Sequence, residues 1–170
     1  MLGIPGIGNQ IAAPGFAFLL AMTLVQQPNR IAEYKTRFAS SSDPVHKAKV
    51  MPQLGDAEFQ AISKNVSDGE LPKALEILRD YRDQVHETLK SLDATHVNAE
   101  AHPAGYKQLE ISIRQSLRRL DDQLVNLTTD EQKPFLEVRK DIERMDQHLI
   151  HELFPLQPPS AASDQEKSTN

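Results

Sequence analysis

The sequence predicts an all-α fold, a small antiparallel helical bundle of about four to five helices, and three observations carry that prediction. Apolar residues recur at steps of three and four through three successive segments. Leu71, Leu75, Leu78, Tyr81, Val85, Leu89 and Leu92 make the first stripe, and Tyr106, Leu109, Ile113, Leu117, Leu120, Leu124 and Leu127 the second. Phe135, Val138, Ile142, Met145, Leu149 and Leu153 make the third. At 3.6 residues per turn this spacing brings each set onto one helix face. No run alternates with period two for long enough to read as a strand. Aromatics reach only 5% and Trp is absent, so the core is aliphatic, which suits helix-on-helix packing.

Taken in chain order, Arg30 to Ala39 predicts a short helix with Ile31, Tyr34 and Phe38 on one face. Ser40–Ser42 breaks it. Asp43–Pro44 restarts it, because Asp supplies an N-cap acceptor and Pro at the first helical position loses no needed donor. The next helix runs through Val45, Ala48, Leu54, Ala61 and Ile62 toward Val66, and Pro52 and Gly55 predict a kink or two shorter pieces. Ser67–Asp68–Gly69 ends that unit.

The first long stripe extends from Glu70, in the first turn where its charge suits the helix dipole, to about Ala94. Periodicity is lost between Asp93 and His102, and His102–Pro103–Ala104–Gly105 is the clearest break in the middle of the chain. A second long helix spans Tyr106 to Leu127. Thr128–Thr129–Asp130–Glu131 then offers cap signals for a third reaching Phe154, with Pro134 tolerated in its first turn. The stripes thus read as a hairpin-like unit ending near Ala94 and a tighter pair from Tyr106 to Phe154.

Three regions follow: an apolar N-terminal segment over 1–29, a helical domain over 30–155, and a Pro/Ser-rich tail over 156–170 whose composition predicts disorder. Ile11 to Val25 carries fifteen residues without a charge, short of the about 20 that cross a bilayer. It matches the hydrophobic core of a secretory signal peptide, although no Lys or Arg precedes it and no clean small-x-small cleavage site follows. The reading is an exported or membrane-tethered protein, with membrane contact only through residues 11–25. A true start at Met22 would make it cytoplasmic. The glycines of GIPGIGNQ make no phosphate loop, since no strand can precede Gly3.

The net charge of −5 is uneven: residues 1–29 have no charged side chain, and 30–49 carry +3, which leaves −8 to the rest. An acidic body argues against nucleic-acid binding, which needs a basic face. With no cysteine, disulfides, thiolate metal sites and a cysteine nucleophile are excluded. No Ser sits in a Gly-x-Ser-x-Gly elbow, and no carboxylate pair stands out.

Among six histidines, His86, His148 and His151 are the weak candidates for metal. His148 and His151 stand three apart, and Asp83–His86 forms an Asp-x-x-His pair, but the Glu-x-x-His pairs of a helical di-iron site are missing. Arg114, Arg118 and Arg119 read as surface ion pairs with Glu110, Asp121 and Asp122 at helical spacing.

Gly69-Glu-Leu71-Pro-Lys-Ala74-Leu-Glu-Ile-Leu78-Arg-Asp-Tyr81 resembles the second helix of a tetratricopeptide repeat, in which a small Ala lets the partner helix approach closely. No second copy appears at a 34-residue period. The runs DPVHKAKVMPQLGDAEFQA, GELPKALEILRDYRDQVHETLKSL, HPAGYKQLEISIRQSLRRLDDQLVNL and PFLEVRKDIERMDQHLIHELFP, spanning 43–155, look like an uncharacterised all-helical bacterial family whose members often follow an export signal. That resemblance implies a helical fold and export, with no catalytic or cofactor residues. The functional expectation is a non-enzymatic helical interaction or scaffold protein of the cell envelope, holding a protein partner or a second copy. The alternative is a ligand- or metal-binding helical bundle.

Overall fold

A computed structural model of the chain describes residues 27–155, with side chains from Arg30 onward. The apolar segment at 11–25 and the tail at 156–170 lie outside the described residues. Five helices make up the described chain: α1 (Gln27–Ser40), α2 (Pro44–Ser67), α3 (Leu71–Asp93), α4 (Ala104–Leu124) and α5 (Thr129–Leu153). The fold is the all-α bundle that the stripes predict.

Each junction has a local cause. The Asp43 carboxylate accepts from the backbone N–H groups of Val45 (3.3 Å) and His46 (3.0 Å) and so starts α2, with Pro44 where no donor is needed. A glycine in the left-handed region ends it: Gly69 has φ +76, its N–H donates to Val66 O (3.1 Å), and Glu70 N–H donates to Asn65 O (2.8 Å). Glu70 therefore stands just before α3 rather than in its first turn. The helix predicted to reach Leu127 stops at Leu124. The Gln132 side chain donates to the Leu124 and Leu127 carbonyls (2.9 Å each), tying that turn onto α5. The Glu131 carboxylate reaches back to the Thr128 N–H (2.9 Å) and hydroxyl (2.7 Å), which lowers its pKa.

Pro52 and Gly55 do not divide this segment into two shorter pieces, and α2 is one continuous helix of 24 residues. Gly55 is buried there because a Cβ would stand 3.1 Å from the Tyr81 ring. Its role is close approach, and tertiary packing overrides the poor local propensity.

Contacts between helices set the topology. α2 packs against α1, α3 and α4, and α5 packs against α3 and α4, so the four longer helices form a square in which consecutive α3 and α4 lie on a diagonal. Lys47 meets Glu87 and Glu58 meets Gln84, an antiparallel match of α2 with α3; Asp121 meets Arg139 across antiparallel α4 and α5. Around the same square, α2 runs parallel to α4, since Gly105 meets Val45 and Asp56 meets Arg119. The pairs Arg82–Asp141 and Asp93–His148 show α3 running parallel to α5. The two units read from the sequence therefore interleave around one core. Leu54, Ile62, Leu78, Tyr81, Leu109, Ile113, Leu120, Ile142 and Leu149 are fully buried in it, or nearly so.

Candidate functional site

The parallel seam between α3 and α5 stays open as a cleft of about 390 Å³. Its apolar floor is Leu89 and Met145, both buried parts of the stripes. Its walls are Arg82, Asp83 and His86 from α3, and Asp141, Arg144 and His148 from α5. Arg82 is held inside the seam by Asp83 (2.7 Å) and Asp141 (3.5 Å), whereas Arg144 leans on Asp141 alone and is 78% exposed. His148 Nε2 lies 3.1 Å from an Asp93 carboxylate oxygen, a contact that fixes the ring's orientation. Beyond His148 a second recess of about 510 Å³ continues to the α3–α4 connection, lined by Asp93, His96, Val97, Asn98, Tyr106 and Glu152.

Of the three candidate histidines, the fold brings His86 and His148 to one cleft and leaves His151 out. His151 lines neither recess, is 72% exposed, and has only Glu152 nearby, at 3.9 Å. Among the described residues no group of three or more His, Asp or Glu is placed to hold a metal ion. His96 joins the second recess from a left-handed backbone conformation (φ 51) in the α3–α4 connection.

A buried polar centre lies on the other side of the bundle. Glu58 of α2 is fully buried. One carboxylate oxygen accepts from Gln84 Nε2 (3.0 Å) and stands 3.5 Å from Lys35 Nζ of α1, and the other has no partner. Lys35 makes its shorter bond to Asp80 (2.6 Å). Burial pushes the Glu58 carboxyl up to about 7; the Gln84 bond and the Lys35 charge hold it down, and Asp80 pushes it up. Partial burial works against the charge on Lys35, but its bond to Asp80 and the field of Glu58 outweigh that and raise it. Beside them Tyr81 packs edge-on to Phe59 (5.3 Å between ring centres), and burial raises its hydroxyl to about 12. That hydroxyl reaches the buried Ser112 and Ser116 hydroxyls without a well-formed hydrogen bond.

Glu110 and Asp146 form a second buried acidic pair, across α4 and α5. Burial and then the Glu110 charge raise Asp146, while Glu110 pairs with Arg114. The neighbouring charges do not follow the helical spacing read from the sequence. Arg119 crosses to Asp56 of α2 (2.5 Å), and Asp121 takes Arg139 of α5 (2.7 Å).

Glu58 and Asp146 escaped the sequence reading, and Glu110 reads there as a surface ion-pair partner rather than a buried acid, although a signal was there. Glu58 lies four residues from both Leu54 and Ile62, Glu110 four from Tyr106 and three from Ile113, and Asp146 four from Ile142 and three from Leu149. Each is an acid on an apolar stripe. No protein-family model, curated protein or solved structure matches the chain.

Proposed function

We propose that the chain is a non-enzymatic helical interaction protein of the cell envelope that holds a segment of another protein in the α3–α5 cleft. The observation that carries this reading is the cleft's make-up: an apolar floor of Leu89 and Met145 beneath a lip where Arg144, His86 and His148 converge. An apolar side chain can bury on that floor, at roughly 25 cal/mol per Å² removed from water, while a neighbouring carboxylate meets the under-paired Arg144. Interfaces commonly combine an apolar anchor with a charged rim in this way. The apolar segment at 11–25 supports the envelope location, and among the described residues no helix is long and apolar enough to cross a membrane.

Site-specific photocrosslinking in cells tests the proposal. A photoreactive residue replacing His86 or Arg144 is expected to capture one protein. The same residue at Val125, which is 82% exposed at the α4–α5 turn, should not, and Met145→Glu should abolish capture. Equal capture from Val125 would sink the assignment of the cleft. Capture of a second copy of this chain alone would overturn the choice of partner.

A further inference from the structure

α1 is joined to the bundle differently from the other four helices. Among the described residues its backbone packs only against α2, and three residues, Ser41–Ser42–Asp43, connect the two. Among its described side chains only Phe38 enters the buried core, under the Lys47 ammonium at 5.0 Å, while Tyr34 is half-buried. The remaining attachments are polar: Lys35 to Asp80 and Glu58, and Arg37 to Gln53 at 3.4 Å.

We propose that α1 is a hinged lid, latched by Lys35 over the buried Glu58 carboxylate and released when that carboxylate ionises. Once charged, Glu58 is poorly served with the lid shut. One oxygen has no partner, and the nearby cation is shared with Asp80, to which it stands 0.9 Å closer (2.6 against 3.5 Å). A buried carboxylate left so incompletely paired costs free energy that water removes once the lid lifts.

The groups around it are few. Lys35 faces it from α1 and Asp80, Gln84 and Tyr81 from α3; Arg119 of α4 stands near Tyr81 but is bonded to Asp56. Tyr81 stays neutral through the physiological range, so Glu58 is the group that titrates there. With the lid shut its carboxyl sits at about 7, and in water it falls toward the ordinary carboxylate range, so the proton binds the closed state more tightly. By linkage the open fraction rises with pH, by about tenfold between pH 6 and pH 8.5.

Hydrogen–deuterium exchange of the full chain tests this, reading α1 (27–40) against α3 (71–93) after correction for intrinsic exchange rates. Protection of α1 relative to α3 should fall about tenfold from pH 6 to pH 8.5 in the wild type. In Glu58→Gln, which cannot ionise, the ratio should not change. In Lys35→Met the latch is gone, so α1 should already be less protected relative to α3 than in the wild type at pH 6. An unchanged wild-type ratio overturns the proposal without recourse to any variant. So does an equal fall in Glu58→Gln with α3 still protected, or an α1 in Lys35→Met as well protected at pH 6 as in the wild type.

Discussion

Two pairs of neighbouring helices run parallel in this bundle, and they meet very differently. Between α2 and α4 the seam closes on its two glycines, and only beyond Gly55 does it leave a recess, of about 330 Å³, between Asp56, Phe59, Ser63, Arg119 and Asp122. A Cβ on Gly105 would stand 2.6 Å from Leu92 Cδ2 and 3.3 Å from Val45 Cγ2, and one on Gly55 would press the Tyr81 ring, with Ser112 and Ser116 filling the space beside it. Between α3 and α5 the seam carries Arg82, His86, Met145 and His148 and stays open as a cleft. Small residues let backbones close on each other; long charged ones hold a channel apart and keep its rim wet. The stretch closed by glycines positions the core, and the α3–α5 cleft, floored by Leu89 and Met145, leaves a surface to work with.

The largest expected effect concerns the buried charge on α2, the helix common to the glycine-closed seam and the α1 contact. Glu58 is raised in the folded state above its unfolded value, so its contribution is fully present below about pH 4.5 and is lost as pH rises through about 7. Denaturant unfolding of the wild type should lose ~3 kcal/mol from this group between pH 5 and pH 9. Glu58→Gln should remove that loss and be the more stable protein at pH 9, and a variant with the wild-type pH slope would deny Glu58 this role.

Next in size, Gly105→Val or Gly55→Val should each cost about 2–3 kcal/mol by overpacking, read as a lower unfolding midpoint at unchanged slope. A neutral result would mean that the seam is not closed by its glycines. Tyr81→Phe removes a buried hydroxyl that makes no good hydrogen bond, so its stability should lie within about 0.5 kcal/mol of wild type or above it. The smallest effect belongs to the open seam. Arg144→Gln should shift stability by less than about 0.5 kcal/mol, because its ion pair is mostly exposed. A large loss there would show the cleft wall to be structural and sharpen the contrast the other way.

The helical content was legible because three stripes of Leu, Ile, Val and aromatic residues state their period without help from the rest of the chain. So were the caps, which need only neighbours: Asp43 before Pro44, Gly69 after Ser67–Asp68, and Thr128 with Glu131. Gly55 was misread because a glycine inside a helix signals weakness locally, and only the Tyr81 ring, 26 residues away, explains it. Of the α4 charges, Arg114 keeps its helical partner Glu110, but Arg119 and Asp121 do not, for the same reason. Spacing proposes partners on one helix, while Arg119 and Asp121 found theirs on α2 and α5. As for the candidate site, the histidines were visible, but that His86 and His148 share a cleft without His151 depends on how α3 and α5 turn toward each other.

By itself the sequence determined what short-range physics can decide: which segments are helical, where they are capped, and which face of each avoids water. The tertiary structure alone decided which helices are neighbours, that α3 and α4 lie across a diagonal, and that one parallel seam closes on glycines while the other opens over Leu89 and Met145. It also placed Glu58 beneath Lys35 at 3.5 Å, between residues 23 apart in the chain. The reason is physical. A helix's period and caps depend on residues a few positions apart, whereas its partners depend on side-chain volumes and charges brought together only when the whole core packs.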